Sequence, residues 1–392
     1  MQPGSNVREE FDFVMYESWG LIGNGREEIT NNLTTRRVAM RRTGYILVCA
    51  LVIVLVFTGT VMGAEKKPTT VAELALYQGA DRQQILEEGA KKEGKLVFYT
   101  SGILKQAVRP VVDAFERKYP FIKVEIWRAT GKQLVARVSE EYKGRKYLFD
   151  VLESTQVVVL PLREMGVFQP FYSPNLTDIE EEAAIKAPAG GVIHAAFRAS
   201  GIGLGYNTKL VNKEELPKTY KDLLDPKWKG KMAIPGSDTG VNWMGAMHHA
   251  HGEEFVKQVA KQNCDVHMVS GRALLDMVIN GEYALSPSLF DSHVFKSKKQ
   301  GAPCDWIPLE PVHVNVGQIS LSKNAAHPHA ALLFIDFELT KEGAEIHKAA
   351  GYSPFHKEVP PLAKAYKKYY GAESLEDVKR MHELFDKLFL KK

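Results

Sequence analysis

Three short loops rich in hydroxyl side chains stand where the sequence predicts that a strand ends and a helix begins. Backbone N–H groups at a helix N-terminus lack partners within the helix, so they carry partial positive charge and bind anions. Serine and threonine hydroxyls add donors without adding charge. The same residue types also cap helices, so both interpretations stay open for each loop. The loops are Ser101-Gly102, Ser154-Thr155 and Ser237-Asp238-Thr239-Gly240.

A fourth junction of this kind, Ser270-Gly271-Arg272, adds a guanidinium group. Arg272 has the geometry to bind a carboxylate or phosphonate through two N–H groups, and its alternative role is on a solvated helix face. Tyr206 and Asn207 end a long extended stretch, where the ring either stacks on a ligand or packs a hinge. Trp243 is open to the same two interpretations.

Familiar catalytic and metal-binding motifs do not emerge from the sequence. His248 and His251 would share a helical face, but no carboxylate or cysteine completes a set, which favours a solvated helix end. The glycines of residues 201–205 lack the dinucleotide-binding spacing, and Pro235 breaks the G-x-S-x-G pattern around Ser237. The sequence therefore predicts a protein without catalysis or cofactor, with an exported α/β hydrolase as the alternative.

Alternating strands and helices must position these loops. Strands predicted at Lys95–Thr100, Ile122–Trp127 and Asp150–Glu153 alternate with helices, which indicates a parallel sheet covered on both faces. A second α/β set follows, and two long extended stretches, Val192–Asn207 and His313–Ser322, connect the sets. The pattern predicts two lobes joined by a hinge, with a ligand cleft where the strand ends of both lobes face each other.

Length and composition are consistent with an exported globular protein. The chain has 392 residues, 45% of them hydrophobic and 25% charged, and its formal net charge is only +4. A length of this order suits two domains, and the scattered charges argue against nucleic-acid binding. The uncharged run Ile46–Gly63 follows Arg41-Arg42, as in a secretory signal. An uncleaved membrane anchor is the alternative, because the run is just long enough to span a bilayer.

These observations predict a division of the chain, with Met40 as the true start. The predicted parts are an over-extended N-terminus (1–39), a signal peptide (40–64), the first part of lobe 1 (65–204), lobe 2 (205–312), a return to lobe 1 (313–355) and C-terminal helices (356–392). Cys264 and Cys304 remain after removal of the leader. In an oxidising compartment they either form a disulfide or stay as two buried thiols.

Several segments together carry a family resemblance. They are LVFYTSG (96–102), VVDAFERKYPFIKVEIWRATG (111–131), FDVLEST (149–155), GVFQPFYSP (166–174), GIGLGYNTKLV (201–211), PKTYKDLLDPKWKGKMAIP (217–235) and HPHAALLFIDFELTKEGAEIHKAAGYSP (327–354). As a set they resemble the bacterial extracellular solute-binding proteins grouped with the periplasmic ferric-iron-binding proteins. The resemblance implies a type II periplasmic-binding-protein fold, a periplasmic location and a monomer that delivers a ligand to an ABC permease. A binding subunit of a membrane sensor is the alternative partner role.

The resemblance also bears on the ligand. Iron-binding members use a His or Glu from the first lobe and a tyrosine pair from the second. At the position of that pair this sequence has Ser286-Pro287-Ser288-Leu289-Phe290-Asp291, which makes Ser286 and Ser288 candidate ligand residues. Asp291 either receives an amine or metal or lies in a surface loop. The sequence therefore predicts a small anionic ligand, or ferric iron carried as a complex whose own oxygens fill most of its coordination sphere.

Overall fold

The computed structural model describes residues 67–363, 365–371 and 374–390. The predicted over-extended N-terminus and signal peptide lie outside these residues, so both stay predictions. Within the described ranges, no helix combines the length and the apolar character that crossing a lipid bilayer requires.

The first lobe begins with two helices separated by a break, α1 (Val71–Leu76) and α2 (Arg82–Glu93). The break arises because Tyr77 adopts an extended conformation and ends α1. The elements that follow are β1 (Lys95–Thr100), α3 (Arg109–Lys118, preceded by a π turn at Leu104–Val108), β2 (Lys123–Arg128), α4 (Gly131–Lys143), β3 (Val151–Thr155), α5 (Gln156–Glu164), β4 (Phe168–Gln169) and β5 (Ala184–Lys186). Short 3₁₀ turns lie at Pro174–Thr177 and Glu181–Ala183.

A 16-residue strand leads from the first lobe into the second. The elements of this part are β6 (Val192–Asn207), β7 (Ala233–Pro235), α6 (Asp238–Ala260), β8 (Asp265–His267), α7 (Gly271–Asn280), β9 (Leu285–Phe290), α8 (Asp291–Lys299) and β10 (Cys304–Ile307), with 3₁₀ turns at Lys213–Glu215, Tyr220–Leu224 and Pro226–Trp228. The helix α6 is kinked at Gly252, whose φ of 78° is a conformation that glycine adopts readily.

The chain then returns through a second long strand. The final elements are β11 (Val312–Ser322), α9 (Pro328–Glu338), α10 (Lys341–Ala349), β12 (Ser353–Pro354), β13 (Lys368–Tyr369) and α11 (Leu375–Phe385), which continues as a π turn at Asp386–Leu390. Ser374 caps α11, because its side chain accepts a hydrogen bond from the Asp377 N–H. Met381 and Phe385 form the buried face of this helix.

The three strands predicted at the start of the first lobe form a parallel sheet as expected, and the long strands extend it into a mixed sheet. β2, β1 and β3 pair in parallel, whereas β11 pairs antiparallel with both β3 and β6. The reason is that β11 re-enters the first lobe from the second and therefore runs against the strands already there. In the second lobe β6 pairs antiparallel with β9 and β10, and β7 pairs with β8 in a separate parallel pair.

Each lobe has its own hydrophobic core. Phe334 lies between Phe98 and Phe115 in the first lobe, with ring centroids 4.9 and 5.0 Å away. Trp243 and Phe385 are buried in the second lobe, so the C-terminal helix belongs to that core. The strands β6 and β11 pair side by side between the two cores. The lobe boundaries at 204/205 and 312/313 stay predictions, because the long strands run through both lobes.

The two cysteines of the described chain are buried thiols. Cys264 packs in one hydrophobic cluster of the second lobe and Cys304 in another. The Cys304 sulfur lies 3.7 Å from the carbonyl oxygen of Val294. Of the two alternatives that the sequence left open, the structure has the buried thiols.

Candidate functional site

Two adjoining cavities lie along the hinge strand β11, where the strand ends of both lobes meet. The smaller has a volume of about 170 Å³, and we call it the arginine compartment; it is lined by Ser101, Gly102, Ile103, Arg198, Ser200, Ser292, His293 and Tyr352. The larger has a volume of about 290 Å³, and we call it the C-terminal compartment; its walls include Val157, Asp238, Thr239, Val241, Asn242, Gly245, Tyr369, Tyr370, Met381 and His382. Thr155, Phe290 and Asn315 line both cavities, so the cavities are neighbours, and we call the two together the cleft.

Helix starts from both lobes converge on this cleft. The π turn before α3 follows β1, and α5 follows β3, both in the first lobe. In the second lobe α8 follows β9 directly and α6 follows β7. The first N–H groups of a helix have no partner within it, so this end of a helix attracts negative charge. The cleft therefore combines backbone donors from both lobes.

Arg198 is the charged side chain at the base of the arginine compartment. It projects from the middle of β6 and forms an ion pair with Glu153 at the end of β3, and both side chains are buried. The other carboxylate oxygen of Glu153 accepts a hydrogen bond from the Thr100 hydroxyl, and that hydroxyl accepts the Gly102 N–H at 2.8 Å. The guanidinium carbon of Arg198 lies 4.8 Å from the ring centre of Tyr352. These contacts fix the guanidinium in position and couple it to the first hydroxyl loop.

A hydroxyl chain lies beside Arg198, on the second-lobe side. The Ser200 hydroxyl donates to Asp291 Oδ1 at 2.8 Å, and Ser200 and Ser292 share a hydrogen bond of 2.5 Å. Burial raises the pKa of Asp291 to about 7, although hydrogen bonds from Ser200 and the Ser292 N–H oppose the shift. Asp291 Oδ2 has no hydrogen-bond partner among the described residues. The chain therefore links two cleft hydroxyls to a carboxyl group that titrates near neutral pH.

Two histidines of the cleft, His293 and His313, are neutral at pH 7. Burial lowers the pKa of His293 to about 4, and it lowers the pKa of His313 to about 4 as well. A neutral imidazole offers one donor and one acceptor and contributes no charge. Arg198 is thus the positive charge at the centre of the cleft, and Glu153 balances it.

The C-terminal compartment is closed by the last described segments of the chain. Tyr369 lies on β13, where its ring stacks on His249 with centroids 4.4 Å apart. His382 of α11 lies 3.1 Å from Asp238 at the start of α6. The hydrogen bond from His382 lowers the pKa of Asp238, and the same bond raises the pKa of His382. The two polar groups at the rim of this compartment are therefore paired with each other.

Six of the predicted site residues lie at the cleft. Ser101, Gly102 and Thr155 line the arginine compartment, and Ser154 stands behind them with its hydroxyl 2.8 Å from that of Ser101. Asp238 and Thr239 line the C-terminal compartment. Ser237 is the N-cap residue of α6, and its buried hydroxyl has no partner among the described residues.

The other predicted site residues lie away from the two cavities. Tyr206 is buried in the core of the second lobe. Ser270 caps α7 by accepting the Ala273 N–H, and Arg272 pairs with Asp276 on an exposed face of the same helix. Two buried serines of β9 have supporting contacts instead: the Ser288 hydroxyl donates to the Thr239 carbonyl, and the Ser286 hydroxyl accepts the Ser288 N–H.

Three further residues singled out by the sequence have structural contacts. The Asn207 side chain donates to the carbonyl groups of Val278 and Ile279 at the end of α7. Trp243 is fully buried, and the His251 ring packs against Phe255. Within the ranges that the structure describes, no three His, Cys, Asp or Glu side chains lie close enough together to hold a metal ion.

Sequence reasoning overlooked Arg198, Tyr369 and His382. A signal for Arg198 was present, because it is the one residue in the 16-residue strand β6 that stays charged at every pH of interest. A guanidinium in a strand of this kind requires a buried partner. Tyr369 and His382 lie in the C-terminal region, which the sequence predicts as helices without a role in the cleft.

Solved structures of binding proteins share this architecture. The iron-bound HitA of Pseudomonas aeruginosa matches 75% of this chain and 99% of its own, with a TM-score of 0.61 and 20% identity. The periplasmic binding protein AfuA of Actinobacillus pleuropneumoniae, solved with fructose-6-phosphate, matches 76% of this chain and all of its own, with a TM-score of 0.61 and 22% identity. At these identities the likeness concerns the fold, and it confirms the predicted type II periplasmic-binding-protein fold.

Sequence comparison adds relatives and a family. The iron uptake protein A1 of Synechocystis is 29% identical over 247 residues, which are 57% of this chain and 65% of that protein. The family described as bacterial extracellular solute-binding protein matches residues 150–371, more than half of the chain. Members of this family bind solutes and do not catalyse reactions, which confirms the prediction that the protein is not an enzyme. The chain belongs to the bacterial extracellular solute-binding protein family.

Proposed function

We propose that this protein is the extracytoplasmic capture component of an ABC importer and that it holds a small anionic ligand in the arginine compartment. The observation that carries the proposal is the convergence of helix starts from both lobes on the buried Arg198. A ligand at this point contacts both lobes at once, so it favours the closed arrangement of a hinged pair.

The electrostatics of the compartment favour hydrogen bonding over net charge attraction. Glu153 balances the charge of Arg198, and His293 is neutral. The Ser200 and Ser292 hydroxyls already donate to Asp291 and to each other, so the donors that remain for an anion are the guanidinium edge, the Ser101 hydroxyl and the helix N–H groups. A hydrogen bond to a charged group contributes about 1.5–3 kcal/mol. A few such bonds are sufficient for micromolar binding.

A ferric complex is the second candidate ligand. The relatives include an iron uptake protein, and the structural neighbours include an iron-bound protein. The described residues offer no carboxylate–imidazole cluster for a bare ion. A complex in which small anions already surround the iron would present oxygen atoms to the donors of the arginine compartment, so it fits the same proposal.

The location and the partner follow from the same proposal. The predicted signal peptide at residues 40–64 would export the chain, and a membrane permease would receive the ligand. The alternative partner is a membrane sensor. Genes for a permease and an ATPase next to the gene of this protein would support the transporter, and a sensor gene in their place would contradict it.

Two measurements test the capture function. Native mass spectrometry of protein purified from its own export compartment should show a retained anion of low mass. Calorimetry should then show that Ser101→Ala weakens binding of that anion about tenfold, which corresponds to about 1.4 kcal/mol. Ser270→Ala is the control, because this serine also stands at a strand-to-helix junction but lines neither cavity. Equal effects of the two substitutions would contradict the proposed site.

A further inference from the structure

The C-terminal compartment is large for a site that binds only an inorganic anion. Its volume is about 290 Å³, and it adjoins the arginine compartment of about 170 Å³ at Thr155, Phe290 and Asn315, which line both. One water molecule occupies about 30 Å³ of liquid, and pockets for organic ligands begin near 300 Å³. The cleft therefore has room for an organic molecule beyond the anion-binding position.

The chemistry of this second compartment is that of an uncharged site. Val157, Val241, Val316 and Met381 contribute apolar surface to its walls. Its rim carries Asp238 and His382, which are hydrogen-bonded to each other, so neither charge is left alone to attract a second ionic group. The compartment therefore favours an uncharged body with some hydrogen-bonding capacity.

The wall that closes this compartment is anchored firmly to the second lobe. Met381 and His382 of α11 face the cavity, while Phe385 of the same helix and Phe389 beyond it are buried in the second-lobe core. α11 also contacts α5 of the first lobe, so it lies across the cleft. This helix follows the region that matches the family, which ends at residue 371.

We propose that the C-terminal helix α11 makes the ligand site bipartite, and that the ligand is an organic anion whose uncharged body occupies the compartment under this helix. This inference rests on the proposed function, because the arginine compartment must hold the anionic group. It assigns Met381 and the segment around Tyr369 to the selection of ligand size. A bare inorganic anion fills only the smaller compartment.

Two probes separate the compartments. Inorganic phosphate tests the arginine compartment alone, and phenyl phosphate adds an uncharged ring. In the wild-type protein, calorimetry should show that phenyl phosphate binds at least about tenfold more tightly, because burying the ring contributes hydrophobic free energy that phosphate lacks.

Gly245 provides the substitution that fills the second compartment. It lies on α6 and lines the cavity, and a Cβ atom placed there would meet only the Tyr369 ring, at 3.9 Å. Gly245→Leu should bring phenyl phosphate down to the affinity of inorganic phosphate, and Gly245→Ala should give an intermediate loss. Both changes replace a helical glycine with a better helix former, and thermal melting checks that each variant is folded.

The outcomes distinguish the two proposals. A tenfold preference for phenyl phosphate that Gly245→Leu removes supports the bipartite site. Equal affinities for the two probes in the wild-type protein would overturn the bipartite site and leave the capture function standing. If neither probe binds to the folded protein, the arginine compartment is not an anion site, and both proposals fail. A preference that survives in folded Gly245→Leu would place the ring elsewhere and overturn the inference.

Discussion

The two compartments of the cleft are built by different means. The arginine compartment is formed at strand ends in the interior of the fold, and its central charge is held by a buried ion pair between Arg198 and Glu153. The C-terminal compartment is enclosed by α11, and its polar rim pair, Asp238 and His382, is partly exposed. The difference shows that one cleft can combine an anion-binding position formed by the sheet strands with a wall contributed by a single helix.

The largest effect should come from breaking the buried ion pair. Arg198→Gln leaves the Glu153 carboxylate buried without its charged partner, so we expect the free energy of unfolding to fall by about 3 kcal/mol. Binding of inorganic phosphate should fall by about a hundredfold, because the charged donor is lost. Urea denaturation and calorimetry measure the two effects.

The double variant Glu153→Gln/Arg198→Gln separates stability from binding. Two neutral amides of similar size should restore most of the unfolding free energy, because no buried charge is left unpaired. Phosphate binding should stay weak in the same protein. Restored binding in the double variant would show that Arg198 only supports the fold.

A change in the C-terminal wall should affect stability by a similar or smaller amount. Phe385 is buried and lies 5.1 Å from the Phe389 ring, so Phe385→Ala should lower the free energy of unfolding by about 3 kcal/mol. The preference for phenyl phosphate should shrink more than phosphate binding does, because α11 loosens over one compartment only. Leu375→Ala on the exposed side of the same helix is the control. Equal loss for both probes would contradict the division of the cleft.

The buried Asp291 should make stability depend on pH. Its pKa is raised from 3.8 to about 7 by burial, so the unfolded chain loses this proton first as the pH rises. The free energy of unfolding therefore falls between about pH 4 and pH 7, and this group lowers it no further above that range. Asp291→Asn should raise the free energy of unfolding by about 2 kcal/mol at pH 8 and by less at pH 5. An equal gain at both pH values in urea denaturation would contradict this assignment, and the exposed Asp276→Asn should change little.

The smallest effect should come from the rim pair of the C-terminal compartment. The raised pKa of His382 means that its ion pair with Asp238 is complete below about pH 6.5 and is lost as the pH rises through the raised value. The lowered pKa of Asp238 keeps the pair intact down to about pH 4. His382→Gln should thus lower the melting temperature slightly at pH 5.5 and leave it unchanged at pH 8.5. Both side chains are partly exposed, 41% and 62%, so the effect stays below about 1 kcal/mol.

Local pattern was sufficient to predict the strands but not their pairing. The bounds of β1 and β6 match the prediction to the residue, because both are runs of β-branched, aromatic and small residues between clear turns. The antiparallel entry of β11 beside β3 depends on how the chain returns from the second lobe. That path is a long-range property, so strand propensity says nothing about it.

The site residues also divide into those that local sequence predicts and those whose position depends on long-range packing. Ser101, Gly102 and Thr155 were predicted because strand-to-helix junctions are visible in the sequence. Ser270 occupies a similar junction but lines neither cavity, and no local signal separates the two cases. Met381 and His382 could not be predicted. Their position in the cleft depends on where α11 packs, and α11 begins more than 130 residues after the start of α6.

Arg198 and Asn315 lie on the two strands that pass from one lobe to the other, near the line about which a hinged pair turns. Residues close to a hinge axis move little when the two lobes rotate. The binding position for the charged group of a ligand would therefore already be formed in the open protein. Closure would mainly bring α6 and α11 over the uncharged part of the ligand. Capture would then have two steps. The anionic group would first bind quickly and with little selectivity, and the slower closure of the lobes would determine which ligands stay bound.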